Sequence, residues 1–588
     1  MIEQRKAGST AMSDIASERV ALSPNGSRLP NHEAVGRHIQ KFFSVTAGCA
    51  VLLALVTLSI HLSLHRIFQV DEVQSVLTAR LLATGKSAAY SAPASLMFFG
   101  PMRWIAGHVN SSVPMLRAER LLFLPLFWLN LCLSVACAGI RLRSSKGLWA
   151  LIFVSTLAPL WDYGFEIRHD NLLLTFVLLS WLAARPLVSG RGRSLLLVGS
   201  MAMLGQVIAF KAFVYMVPIA LFALYASWRE EKRPLARALA TLLAGCVLAF
   251  AAAASVQLIA GTWSLYSSDV KSLGSAAVHA IRLPAWPTLL RLVVETPALL
   301  VATLSSIIMA LAAVRLKSLT STDSLLPEVG FLGVALVALL ANPTPFAYNL
   351  VLLVPQAAIL CMRTFEVLNL TKQQWRVALI LLLTAHAVTW AATMPRHLFM
   401  SNARQLKLIT AAESLTDPRL HSVLDGSGLV PTRNPPGHDW LIHTFTLEAF
   451  RTGASVPIRR QLAEGRTPVV IPNYRVLALP AADLQFIRNH YIALAGDFLV
   501  TGGRLPPGMN RWECLVGGRY YLAFNPSDGR IVVDGRAATG RVVQLSRGVH
   551  TIGVEASTPV YLIWVGPTLS APPSVGRGDA LRVFVNWY

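Results

Sequence analysis

Four groups of residues set ionisable or anion-seeking side chains beside long apolar runs: Asp71-Glu72, Glu166-Ile167-Arg168-His169-Asp170, Lys211, and Asn342-Pro343-Thr344-Pro345-Phe346-Ala347-Tyr348. A carboxylate can take the proton of an attacking hydroxyl, and a guanidinium or ammonium can hold a departing phosphate. Arg168 suits a bidentate phosphate or carboxylate contact, whereas Lys211 would act as a point charge. Each group also has a plainer reading. Asp71-Glu72 fits a solvated acid pair, Arg168 with its flanking acids fits a pair that only caps two helices, and Lys211 fits a lysine snorkelling to headgroups. His169 offers a base or a metal ligand but stands alone, and the Pro-broken stretch before Tyr348 fits a simple helix connector.

The elements that must position these residues are mostly apolar. Of 588 residues, 54% are hydrophobic and 14% charged, too little polar surface for a soluble protein of this length. Eleven runs of roughly 17 to 25 residues, enough to span a bilayer, start near Phe43, Leu121, Leu148, Leu172, Ser194, Phe213, Ala238, Pro297, Glu328, Tyr348 and Val377. The expected architecture is a polytopic α-helical membrane protein of about eleven spans. Residues 1–41 form a cytoplasmic tail and 42–395 the transmembrane domain, with a first outer loop at 67–120. Residues 396–588 form an extracytoplasmic domain of mixed α/β and β-sandwich-like character.

The net charge of +22 lies largely between apolar runs, at Arg141, Arg143 and Lys146, Arg191 and Arg193, Arg229, Lys232 and Arg233, Arg315 and Lys317, and Arg363, Lys372 and Arg376. Such alternation follows the positive-inside rule and argues against a nucleic-acid partner. It places these loops in the cytoplasm of a cell with the chain in its plasma, or inner, membrane. With an odd number of crossings, all four chemical groups and the C-terminal domain then fall on the outer face. The first outer loop reads as helices lying in the interface plane. Past residue 402, Arg519 to Phe524, Arg530 to Val533, Val542 to Leu545 and Thr551 to Val554 read as strands, with a hairpin at Asn525-Pro526-Ser527-Asp528-Gly529 between the first two. Six cysteines show no ligand spacing or disulfide framework, and no His/Asp cluster calls for a metal or other cofactor.

The Asp-Glu pair in Val70-Asp71-Glu72-Val73, the Arg168-His169-Asp170 step opening the Leu-rich Asn171 to Phe176 segment, Lys211 followed by Pro218, and the Tyr348 to Pro355 helix together resemble the GT-C glycosyltransferases. The likeness is to the branch of protein O-mannosyltransferases and the lipid A aminoarabinose transferase, and it covers most of the membrane half. Where that family commonly has Pro between Arg and Asp, this chain has His169, and it lacks the basic residue often found before the late Tyr. The resemblance implies Asp71 as base or acceptor-positioning carboxylate, Glu72 in support and Asp170 as a second carboxylate. Arg168, His169, Lys211 and Tyr348 would line the substrate site, with Arg168 and Lys211 on the donor phosphate. The donor would be a polyprenyl-phosphate sugar, the acceptor a lipid, glycan or protein, and transfer would invert the anomeric centre. A lipid-linked-saccharide flippase predicts charges deep in several helices and related halves, which the sequence shows little of. A non-catalytic envelope scaffold predicts an acid pair that tolerates change.

Overall fold

The computed structural model describes residues 32–85, 95–185, 194–230, 232–278, 283–315, 325–342, 345–367, 372–437, 441–442, 444–525, 527 and 529–584. Most of the expected N-terminal tail, Arg191, Arg193, Lys317, Pro343, Thr344, Pro526 and Asp528 lie outside these residues.

The helices in chain order are α1 His32–His65, α2 Val70–Ala83, α3 Leu96–His108, α4 Ser112–Cys137, α5 Ser145–Ser155, α6 Ala158–Tyr163, α7 His169–Ala184, α8 Ser194–Ile208 and α9 Ala212–Glu230. They continue as α10 Leu235–Ile259, α11 Trp263–Val278, α12 Trp286–Glu295, α13 Pro297–Arg315, α14 Leu326–Ala341, α15 Leu350–Val367, α16 Lys372–Phe399 and α17 Ala403–Leu415. Each of the apolar runs overlaps a helix, the one from Leu148 being divided between α5 and α6. By length and composition, however, five helices among the described residues can cross a membrane (in α1, α4, α9, α10 and α15), or six if the α12–α13 pair, bent by 98°, is one span. The apolar helices α5, α7, α8 and α14 are shorter. At 1.5 Å per residue the 16 residues of α7 reach about 24 Å, short of a hydrocarbon core of about 30 Å. The molecule is thus a multi-pass membrane protein, and helix length does not support eleven full-length spans. Where α8 and α10 pack, a Cβ on Gly199 would strike the Leu242 carbonyl and one on Gly245 the Leu196 carbonyl, so the absence of side chains sets the closeness of the two backbones.

Beyond α17 the chain forms β1 Val423–Leu424, β2 Val469–Val470, β3 Tyr491–Ala495, β4 Phe498–Leu505, β5 Gly508–Cys514, β6 Gly518–Ala523, β7 Gly529–Val533, β8 Arg536–Ala537, β9 Val542–Leu545, β10 Gly548–Ala556 and β11 Val560–Trp564. One sheet runs β1-β2-β4-β11-β6-β9 with β3 also on β4, and the other runs β5-β10-β7-β8. The two sheets meet through Trp512 of β5 against Tyr520 of β6, ring centroids 5.3 Å apart. The expected hairpin at 525–529 is not one. β6 pairs with β9 and β11 while β7 pairs with β8 and β10, so this turn carries the chain from one sheet to the other. Turn chemistry dictates a reversal but not which strand becomes the neighbour.

In the segment expected as the first outer loop, α2 departs from the interfacial reading. α2 is buried along most of its length, including Val73, Val76 and Ala79, and shares a core with α3, α4, α17 and the β-rich region. It is a packed internal helix rather than one floating at a lipid surface, because the C-terminal region covers the face that sequence alone would assign to lipid.

Candidate active site

The site begins where α1 hands over to α2. Gln69 is the extended N-cap of α2, and Glu72 Oε2 reaches back to the Gln69 amide at 2.9 Å, closing a capping box. Glu72 is fully buried and ion-paired with Arg120 of α4, whose Nε donates to Glu72 Oε1 at 2.8 Å. Arg120 also donates to the carbonyls of Arg66 and Ile67, at 2.7 and 3.0 Å. These bonds fix the linker. One residue earlier in the same turn, Asp71 points elsewhere and stays partly open, its side chain 24% exposed.

The second part is the turn from α6 into α7. Asn171 ties it shut, donating from Nδ2 to the carbonyls of Tyr163 and Glu166 at 2.9 and 2.8 Å. Arg168, the extended N-cap of α7, donates from Nη1 to Asp71 Oδ2 at 2.6 Å and from Nε to Asp170 Oδ2 at 3.4 Å. Asp170 is buried and ion-paired with Lys211, which lies in the α8–α9 turn and donates to Asn349 Oδ1 at 3.1 Å. Tyr348 sits in the short turn Ala347–Asn349 before α15. The Arg168 guanidinium lies 3.8 Å from the centre of its ring and the Lys211 ammonium 5.2 Å, both within cation–π range. His169 stands beside Asp170, Nε2 to Oδ1 at 3.7 Å, and edge-on to Phe98. All seven residues singled out by sequence are therefore brought together, although Glu72 is enclosed behind the others.

The electrostatics follow from burial and pairing. Burial pushes the Asp71 carboxyl up, but Arg168 and the more distant Arg475 outweigh it and hold the group below the usual carboxylate range. Glu72 is likewise held low, Arg120 overriding its burial. Glu166 goes the other way. Burial first, and then the charge of Glu72, push it up to about 8 despite Arg66. The Arg168 contact uses Asp71 Oδ2, and no hydrogen bond reaches Oδ1 among the described residues. The open rim thus offers one carboxylate oxygen beside an ammonium and a guanidinium. Among the described residues, no three His, Cys, Asp or Glu side chains are grouped as a metal would need.

No family model matches the chain, and no curated protein does. Among solved structures it is similar to ArnT from Cupriavidus metallidurans bound to undecaprenyl phosphate. Identity is 13% and the TM-score 0.48, covering 78% of this chain and 97% of that one. Likeness at this level assigns no family.

Several residues of the site region went unread in the sequence. Arg66, buried, donates to the carbonyls of Trp161 and Asp162 at 2.6 and 3.1 Å and pairs with Glu166 at 3.1 Å. Asp162 gathers Arg291, Arg396 (2.5 Å) and His397 (2.8 Å), while Glu295 joins Arg291 (2.8 Å) and Arg396 (2.7 Å). Thr288 of α12 donates to the Pro345 carbonyl, which links this cluster to the turn bearing Tyr348. Arg291 and Arg396 look like ordinary flanks of apolar runs, and their convergence is visible only in three dimensions. Arg475, from the β-rich region, has no local sequence signal at all.

Proposed function

We propose that the chain is a membrane glycosyltransferase that moves a sugar from a polyprenyl-phosphate donor to a lipid, glycan or protein acceptor at the outer face of the plasma membrane. In this reading residues 42–395 are the membrane domain and 396–588 lie outside the cytoplasm. The observation that carries it is the convergence of Asp71, with one free carboxylate oxygen, on Arg168, Lys211 and Tyr348.

Lys211 and Arg168 hold the donor phosphate, and the Tyr348 ring packs under both cations. As the phosphate draws on the Arg168 charge, the pull on Asp71 weakens and its basicity rises. Asp71 then accepts the proton of the acceptor hydroxyl, whose oxygen bonds to the anomeric carbon while the bond to the phosphate oxygen breaks. The cations stabilise the charge on the leaving polyprenyl phosphate. Attack from the side opposite the phosphate inverts the anomeric centre. Asp170 positions Lys211, His169 lines the rim, and Glu72 positions the α2 turn.

The test is transfer of label from a radiolabelled polyprenyl-phosphate sugar to envelope lipid, glycan and protein fractions by the purified chain in lipid nanodiscs. Wild type should transfer. Asp71→Asn should bind donor but transfer about 10²- to 10⁴-fold more slowly, the usual contribution of a general base. Undiminished transfer by the variant removes the reading.

A further inference from the structure

A cavity of about 600 Å³ opens between the C-terminal end of α2 and the segment from Pro418 to Asn434 of the β-rich region. Arg80 lies nine residues after Asp71, so it sits about 14 Å further along α2 and on the opposite side of the helix. The cavity is therefore separate from the transfer site. Its described lining holds three arginines, Arg80, Arg419 and Arg433, and no carboxylate.

The arginines are held differently. Arg433 is 8% exposed, and its donors go to neutral oxygens: Nε to Thr416 Oγ1 at 2.7 Å, Nη1 to Thr432 Oγ1 at 3.0 Å, and Nη2 to the carbonyls of Glu413 and Thr416 at 2.9 Å each. Its geometry is locked, and among the described residues no carboxylate touches the guanidinium, although the charges of Glu413 and Asp417 act on it from nearby. Glu413 instead accepts from the Ser112 amide at 2.7 Å and from Thr432 Oγ1 at 2.6 Å. Arg80 spends Nη1 on the Ala106 carbonyl. The Arg419 guanidinium is exposed and makes no hydrogen bond or ion pair among the described residues.

Each nitrogen of Arg433 already donates within the protein, so it lends the cavity charge. Arg80 and Arg419 keep guanidinium nitrogens with no acceptor among the described residues, which suits a phosphate that accepts from the Arg fork. The remaining wall adds Asn110, Asn434 and Thr84 for hydroxyls, with Leu77 and Leu81 as an apolar floor. A volume of this order is that of small-molecule sites, roughly 300 to 1,000 Å³. We infer that this cavity binds a phosphorylated saccharide. That the bound saccharide belongs to the acceptor rests on the transferase reading; the binding itself does not.

The experiment is equilibrium binding of maltose 1-phosphate, maltose and inorganic phosphate to the full chain in nanodiscs, in parallel with undecaprenyl phosphate. Maltose 1-phosphate should bind saturably and at least tenfold more tightly than either other probe. Arg419→Ala and Arg80→Gln should each weaken it at least tenfold, Arg419→Lys should restore part of the loss, and undecaprenyl phosphate should bind all variants alike. Absence of saturable binding to wild type, equal binding by wild type and Arg419→Ala, or inorganic phosphate binding as tightly as the sugar phosphate overturns the proposal. Binding that follows this pattern in a chain that never transfers sugar leaves the cavity assigned and removes only the acceptor role.

Discussion

Two adjacent acids at the start of α2 point about 100° apart around the helix, and that step separates their chemistry. Asp71 faces the open rim and Glu72 the buried Arg120. Because Arg168 holds the Asp71 carboxyl low, the acid limb of kcat/KM, which reports the free protein, should lie below the ordinary aspartate value of about 3.9. In Arg168→Gln the larger part of the downward pull is lost while burial and the pull of Arg475 remain, so the limb should move up from its wild-type position. A pH profile of the two proteins checks the sign, independent of any loss in rate. Lys211→Ala removes a charge-assisted contact of about 1.5 to 3 kcal/mol, so the Kd for undecaprenyl phosphate should rise roughly 10- to 100-fold in a titration. The types and spacing of the seven candidate residues were legible in the sequence, since each stood at the edge of an apolar run. That Glu72 is enclosed was not, because its partner Arg120 lies 48 residues away and looks like a charge at the start of a span.

At the scale of elements, the Glu72–Arg120 pair joins α2 to α4 and to the α1–α2 linker. Removing one partner of a buried pair leaves an uncompensated charge and costs about 3 to 5 kcal/mol. Glu72→Gln should therefore lower the thermal transition clearly, and more than Asp71→Asn does. Replacing both partners, Glu72→Met with Arg120→Leu, removes the lone buried charge but also the bonds to the Gln69 amide and to the Arg66 and Ile67 carbonyls, so it should recover only part of the loss. The depressed Glu72 pKa gives the pH sign. Its contribution is full above the unfolded value of about 4.5 and is lost as pH falls through the lower folded value. The helices themselves were written in hydropathy, as the coincidence of the apolar runs with helices shows. Span number was not, because α5, α7, α8 and α14 are apolar but short. The β6–β7 turn failed for a related reason: local turn chemistry is blind to which sheet each strand joins.

At the scale of the molecule, the β-rich region reaches the site by lying on α2. Gly428, at φ +93°, packs so closely that a Cβ would meet Leu77 Cβ at 2.9 Å and the Val73 carbonyl at 3.1 Å. Asp425 holds that loop by accepting from the Ser427 amide at 2.7 Å, and its carbonyl accepts from Asn473 Nδ2 at 2.6 Å, just ahead of Arg475. Gly428→Val should lift this contact, lower transfer by an order of magnitude or more and leave membrane insertion intact. Protease sensitivity of the 418–434 segment, compared with wild type, checks it. This docking had no signal in sequence: residues of α2 alternate in a way that fits an interfacial helix equally well.

The central claim is that acids and cations drawn from α2, the α6–α7 turn, the α8–α9 turn and the turn before α15 make one phosphate-handling site. A cryo-electron microscopy structure of the full chain in nanodiscs with undecaprenyl phosphate tests it most directly. The phosphate should be found within hydrogen-bond reach of Lys211 and Arg168, beside Tyr348, with the Arg168–Asp71 contact lengthened. A phosphate bound elsewhere, with Lys211 and Arg168 unchanged and still closed on Asp170 and Asp71, would contradict it.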